Sequence, residues 1–130
     1  MTTGVLMAMA MAMQLLPPPT LPRWQVVGRN AQAEYAIDPQ SVQRLGTRVR
    51  AVVRLRFLRP AAGAPSMGVM RYLYDCRANT VRSEASDIYD TRGRFLGTQQ
   101  TPPHQQRDVP IGPVSPNAQV RNRLCAGGRR

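Results

Sequence analysis

Residues 47–58 read Thr-Arg-Val-Arg-Ala-Val-Val-Arg-Leu-Arg-Phe-Leu. Val49, Ala51, Val53, Leu55 and Phe57 share one parity, and Arg48, Arg50, Val52, Arg54 and Arg56 share the other. Successive side chains of a strand point to opposite faces. This period of two therefore predicts a long strand with one buried and one wet face. Half-exposed strands are typical of antiparallel sheets.

The flanking segments fit the same scheme. Trp24–Val27 and Glu34–Asp38 read as short strands, with Gly28-Arg29-Asn30 turning between them. Ser41–Leu45 reads as one helical turn stopped by Gly46, and 59–66 as a Pro/Gly/Ala loop. Val69–Cys76 and Thr80–Asp90 read as a hairpin across 77–79, with Met70, Tyr72, Tyr74 and Cys76 on one face. Phe95–Gln100 reads as a last strand after a turn at 91–94, and 101–113 as a polar, Pro-rich loop. Ser115-Pro116 supplies an N-cap and a proline at the first helical position, so a helix should run from Pro116 to about Cys125. Val120 and Leu124 share a face of it, and Gly127-Gly128 stops it. The predicted fold class is α+β: a single antiparallel sheet of five or six strands, with a C-terminal helix packed on it and tied by a disulfide.

The N-terminus points to export. Val5–Leu16 is apolar except for Gln14, and the first charged residue is Arg23. That run is shorter than the roughly 20 residues a membrane-spanning helix needs and resembles the hydrophobic region of a secretory signal. Residues 1–4 lack the positive charge such a signal carries, which leads to the expectation that a basic segment lies upstream. A buried N-terminal helix is the alternative, weakened by the absence of an amphipathic face before Pro17-Pro18-Pro19. No cysteine follows the apolar run, so no lipid anchor is expected. The expected organisation is a signal-like segment and Pro-rich spacer at 1–23, one domain at 24–126 and a tail at 127–130.

There are two cysteines, Cys76 and Cys125. In an oxidising compartment a widely spaced pair closes a loop; two unrelated buried thiols are the alternative. Closing a loop of about 50 residues adds on the order of 4 kcal/mol on the chain-entropy model.

The formal charge is +11, and all 18 basic residues are arginine. With abundant Ala, Gly and Pro, a GC-rich coding sequence produces that bias unaided. The surface nonetheless attracts polyanions, and guanidinium favours bidentate contact with phosphate and carboxylate. Arg48, Arg50, Arg54 and Arg56 form the sharpest candidate partner-binding surface, set against a solvated face that deters edge pairing. Tyr72 and Tyr74 with Arg71 and Arg77 could stack on bases or sugars, but the tyrosines are expected to pack under the helix.

Catalytic signals are weak, and no enzyme activity is expected. His104, the one histidine, sits in a Pro-flanked loop with no activated nucleophile beside it. Zinc needs about four N or S ligands, more than one histidine and two paired cysteines supply. No glycine pattern cradles phosphate. Glu84, Asp87 and Asp90 are expected at a solvated strand edge, Asp87 facing away from the other two, rather than around calcium. No cofactor and no metal are expected.

From Trp24 to Cys125 the chain resembles the surface-adhesin protein E family of bacterial envelope proteins. The resemblance rests on an ordered series. Trp24 opens it, followed by Tyr35-Ala36-Ile37-Asp38-Pro39-Gln40-Ser41-Val42, then Arg44, Gly46 and Val49. Next come Tyr74-Asp75-Cys76, a basic hairpin and Tyr89-Asp90-Thr91-Arg92-Gly93. Pro113-Val114-Ser115-Pro116 and a helix ending Leu124-Cys125 close it. The resemblance implies antiparallel strands, a packed C-terminal helix and a Cys76–Cys125 link. Its best-known members are outer-surface adhesins that bind host matrix and plasma glycoproteins. Two departures stand out. There is no acylated cysteine, which favours a periplasmic or secreted protein, and His104-Gln105-Gln106-Arg107-Asp108 lacks the tryptophan the family carries before its last helix.

The expected function is therefore an exported, non-catalytic binding module recognising a protein or an anionic glycan. A periplasmic structural or inhibitor-type domain that binds a bacterial envelope partner is the alternative. Nucleic-acid binding through the arginine face comes third, disfavoured by export.

Overall fold

The computed structural model describes residues 23–126. Residues 1–22 of the expected signal-like segment and spacer at 1–23, and the glycines expected to stop the helix, lie outside the described residues. Eight antiparallel strands form one sheet: β1 (Gln25–Arg29), β2 (Ala33–Ile37), β3 (Gln43–Leu45), β4 (Arg48–Phe57), β5 (Pro65–Asp75), β6 (Thr80–Asp90), β7 (Phe95–Gln100) and β8 (Val109–Pro110). The α-helix of the described residues, α1 (Pro116–Ala126), packs against β1 and β2.

The class is the expected one, but the strand count is eight rather than five or six. The order across the sheet is β1-β2-β4-β5-β6-β7; β3 also pairs with β4, and β8 with β6. The two extra strands complete long neighbours. β2 covers only Val53–Phe57 of β4, and β3 covers Arg48–Arg50. β7 covers Ala85–Tyr89 of β6, and β8 covers Thr80 and Val81. Backbone groups buried in a sheet must be paired, so short stretches of 41–45 and 101–113 become strand. The helical turn expected at Ser41–Leu45 is replaced by a 3-10 turn at Pro39–Ser41 followed by β3.

Between β2 and β3 the side of β4 is closed by a side chain. The Val52 N–H donates to Ser41 Oγ at 2.8 Å, while Asp38 N–H donates to Val52 O at 3.1 Å. The hairpin turns are fixed by aspartates. Asp75 Oδ1 accepts from the N–H groups of Arg77 and Ala78 at 3.0 and 2.9 Å, and Asn79 takes the left-handed conformation at φ 58°. Asn adopts that region more readily than most residues. Asp90 Oδ1 likewise holds the N–H groups of Arg92 and Arg94.

Alternation on β4 comes out as predicted from Arg48 to Arg54, but its far end runs beyond the core, where Leu55 is only half-buried and Phe57 is exposed. Val49, Ala51 and Val53 are buried, and the register sets them opposite Tyr74, Tyr72 and Met70 of β5. Ile37 of β2 and Ala118, Val120 and Leu124 of α1 complete the core. Tyr74, Val53 and Val120 are its largest fully buried side chains; burying each stabilises the fold by roughly 1.5–3 kcal/mol.

Helix α1 begins at its predicted cap, with the Ala118 N–H donating to Ser115 Oγ at 3.2 Å. Tyr74 OH donates to Asn117 Oδ1 at 2.7 Å, and Arg44 donates to Leu124 O at 2.9 Å. The Cys76–Cys125 disulfide joins the end of β5 to the last turn of α1. The turn expected at Gly28–Asn30 falls later, because β1 continues to Arg29 after a bulge at Val27. Gly28 serves contact rather than turning: a Cβ there would lie 2.8 Å from Pro116 O and 2.9 Å from Gln119 Oε1.

Candidate functional site

Since Val49, Ala51 and Val53 face α1, Arg48, Arg50, Arg54 and Arg56 project from the opposite side of the sheet. β4 lies inside the sheet, flanked by β2 and β3 on one side and β5 on the other. Edge protection is therefore not what these arginines do.

The two ends of the row differ in charge balance. At the β3 end, Arg50 makes a two-point pair with Glu84 of β6, at 2.6 and 3.0 Å. Arg50's hydrogen bond holds the Glu84 carboxyl below the usual range, and the same bond raises the guanidinium. Arg48 lies 3.4 Å from Asp75 and 3.6 Å from Asp108, which also takes Arg82 at 2.8 Å. These three arginines meet three carboxylates, and Arg71 of β5, exposed and without an ion pair among the described residues, adds a further charge beside Glu84.

At the β1 end, Arg29, Arg54 and Arg56 surround one carboxylate. Glu34 is 7% exposed and hydrogen-bonded to Arg29, with Arg54 at 3.8 Å. The Arg29 bond is the main cause of its lowered pKa; burial opposes this, and the charges of Arg56 and Arg54 reinforce it. Arg54 packs over the Trp24 ring at 5.2 Å, and its buried Nε has no hydrogen-bond partner among the described residues. Burial first, and repulsion by Arg56 second, lower its pKa. Arg56 is exposed and makes no ion pair among the described residues.

The other candidates separate. Tyr72 and Tyr74 meet edge to face at 5.9 Å beneath the helix, as expected. Burial pushes Tyr72 up to about 12, and Tyr74 well up. The three carboxylates of β6 do not converge, and β6 is not an edge: β5 lies on one side, β7 and β8 on the other. Glu84 pairs with Arg50, Asp87 accepts from Thr98 Oγ1 at 2.6 Å, and Asp90 holds its turn. Among the described residues no group of three His, Cys, Asp or Glu side chains could hold a metal ion. His104 lies exposed in a short 3-10 turn, Pro103–Gln105.

Sequence reasoning found the arginines but not their counterions. Glu84 is 34 residues from Arg50, and its partnership depends on strand order. Asp108 comes from a loop with no periodic signal. Trp24 was legible only as the start of the domain.

A family model for surface-adhesin protein E matches residues 24–126. Solved structures of Haemophilus influenzae protein E share the fold. One crystal form aligns with a TM-score of 0.57 at 16% identity, covering 86% of this chain and 95% of that chain. The protein from a non-typeable strain aligns with a TM-score of 0.56 at 16% identity, covering 88% and 85%. No curated protein matches the sequence.

Proposed function

The chain belongs to the surface-adhesin protein E family, and from that premise we propose that it is an exported, non-catalytic binding module that recognises a protein or an anionic glycan. The observation that carries this reading is the sheet face turned away from α1, where Arg48, Arg50, Arg54 and Arg56 lie partly or fully exposed. A rigid sheet with one side packed under a helix leaves the other side free for a partner, and guanidiniums suit carboxylate and sulfate groups. The disulfide supports a site of action in the envelope or outside the cell, since such bonds persist in oxidising compartments.

The test is binding of the oxidised domain to immobilised matrix glycoproteins and to acidic glycans. Saturable binding to one ligand class that survives physiological salt is expected. Weak attraction to every polyanion, falling steeply with salt, would mean charge-driven adherence without recognition. Fractionation of the native host separates a periplasmic module from a surface or secreted one. Recovery from the cytoplasm with both thiols free would end the adhesin reading.

A further inference from the structure

Arg54 and Arg56 both line a pocket of about 420 Å³ at the open end of β4. We propose that this pocket is a subsite for an acidic sugar, with the two guanidiniums taking its carboxylate or sulfate. The assignment rests on the binding-module reading above and narrows it to one ligand class and one place.

Four features support it. First, residues two apart on a strand face are separated by roughly 7 Å, a gap one oxyanion can bridge with an oxygen toward each side chain. Second, this end of the row carries an excess of positive charge. Its one ion-paired carboxylate, Glu34, is buried and already bonded to Arg29, while Arg54 approaches it only to 3.8 Å and Arg56 has no ion pair among the described residues. Asp90 also lines the pocket, with its Oδ1 accepting from two backbone N–H groups; counting it with Glu34, the three guanidiniums of Arg29, Arg54 and Arg56 still outnumber the carboxylates. Third, the remaining walls combine the hydroxyls of Ser66 and Thr91 with the apolar surfaces of Phe57 and Met67. Hydroxyls match the ring hydroxyls of a sugar, and apolar surface matches its C–H face. Fourth, the volume falls in the range of about 300–1,000 Å³ usual for small-ligand sites. A nucleic-acid strand fits less well. It needs a continuous basic track, and Arg48, Arg50 and Arg82 are already matched by Asp75, Asp108 and Glu84.

The experiment titrates the intact, oxidised domain with a uronic-acid disaccharide, a sulfated disaccharide, a neutral disaccharide, inorganic sulfate and an Asp/Glu-rich peptide. Calorimetry gives affinity, and the NMR signals of the arginine Nε–H groups and backbone amides give the place. The acidic sugars should shift Arg54, Arg56, Ser66 and Thr91, and the neutral one should not bind. Arg56→Gln, on an exposed side chain, should weaken the acidic sugar roughly tenfold, the loss of one charge-assisted contact. Arg107→Gln, an exposed charge elsewhere, should leave affinity unchanged. Arg54→Gln is read only if its amide spectrum matches the wild type, because Arg54 also packs on Trp24. Equal weakening by Arg56→Gln and Arg107→Gln overturns the subsite. So does sulfate binding as well as the sulfated sugar, or the peptide binding in preference to either. If Arg56→Gln abolishes nothing while a matrix glycoprotein still binds, the subsite falls and the adhesin reading stands. If the sugars bind at Arg56 but no matrix glycoprotein binds, the subsite stands and the module recognises an anionic glycan rather than a protein.

Discussion

Gly28 and Ser41 show how much of this fold depends on single positions whose role is invisible in sequence. Gly28 reads as a turn glycine, yet it lies inside β1 where α1 comes closest to the sheet. Gly28→Ala would place a methyl group within 3 Å of the Pro116 carbonyl oxygen. Overpacking of this kind costs about 1–3 kcal/mol, so the urea midpoint should drop with the slope unchanged. Ser41 reads as part of a helical turn, but its Oγ is the acceptor for the Val52 N–H in the gap between β2 and β3. Ser41→Ala leaves that N–H without its partner and should cost about 1–3 kcal/mol. Ser41→Thr, which keeps the hydroxyl, should recover most of it. A full-strength Ser41→Ala variant by equilibrium unfolding would show that water replaces the hydroxyl.

The elements differ in how far they stand by themselves. β4 has strong alternation and is paired along its length by β2, β3 and β5. α1 is 11 residues long, and isolated helices below about 12–15 residues are marginal in water. Its residence on the sheet rests on Val120 and Leu124, the Tyr74–Asn117 hydrogen bond, the Arg44 and Arg121 contacts to backbone carbonyls, and the disulfide. The disulfide closes a 49-residue separation, for which the chain-entropy model gives on the order of 4 kcal/mol. Replacing Cys76 and Cys125 together by serine should lower stability by about 2–4 kcal/mol. Hydrogen exchange should then accelerate in α1 before the β4–β6 strands, which keep their own pairing. Uniform acceleration across all elements would mean that helix and sheet open only as one unit.

At the scale of the whole molecule, the formal charge of +11 is unevenly compensated. The seven acidic residues are placed where they do structural work, in ion pairs, turns, a cap and the cross-strand Thr98–Asp87 hydrogen bond. That arrangement makes stability depend on pH at both ends. Glu84, Glu34 and Asp75 are held low chiefly by bonds from Arg50, from Arg29 and from the Ala78 N–H respectively. As pH falls, the unfolded chain takes up these protons first, so unfolding is favoured. Their contribution should be complete above about pH 5, begin to fall near the unfolded-chain values of about 4, and be lost only as pH drops through the lower folded-state values. Tyr72, raised to about 12, and Tyr74 act in the opposite direction. They stay neutral in the fold after the unfolded chain has ionised, so their contribution is complete below about pH 10 and lost above it. Denaturation midpoints across the pH range should form a plateau with two falling flanks. An acid flank that stays level to about pH 3 would show that the carboxylates are not lowered.

What the sequence determined by itself is the set of properties carried by local pattern. Alternation on residues 48–57 specified β4, and both of its faces as far as Arg54, because a strand's period of two is a property of the backbone. Ser115-Pro116 specified where α1 begins, and the paired aspartate turns lay where the hairpins were expected. The order of short motifs ending in Cys76 and Cys125 carried the family. Tertiary structure decided what depends on which strands become neighbours. The eight-strand count follows from the lengths of β4 and β6, each longer than its main partner on one side, β2 and β7 respectively. The same neighbour relations bring Glu84 to Arg50 and Asp108 to Arg48 and Arg82, while Glu34 is shared among Arg29, Arg54 and Arg56. Four arginines that are equivalent in sequence become a half paired one to one with carboxylates and a half that shares a single carboxylate with Arg29. Charge balance is set by distances through space, and those exist only once the sheet has formed.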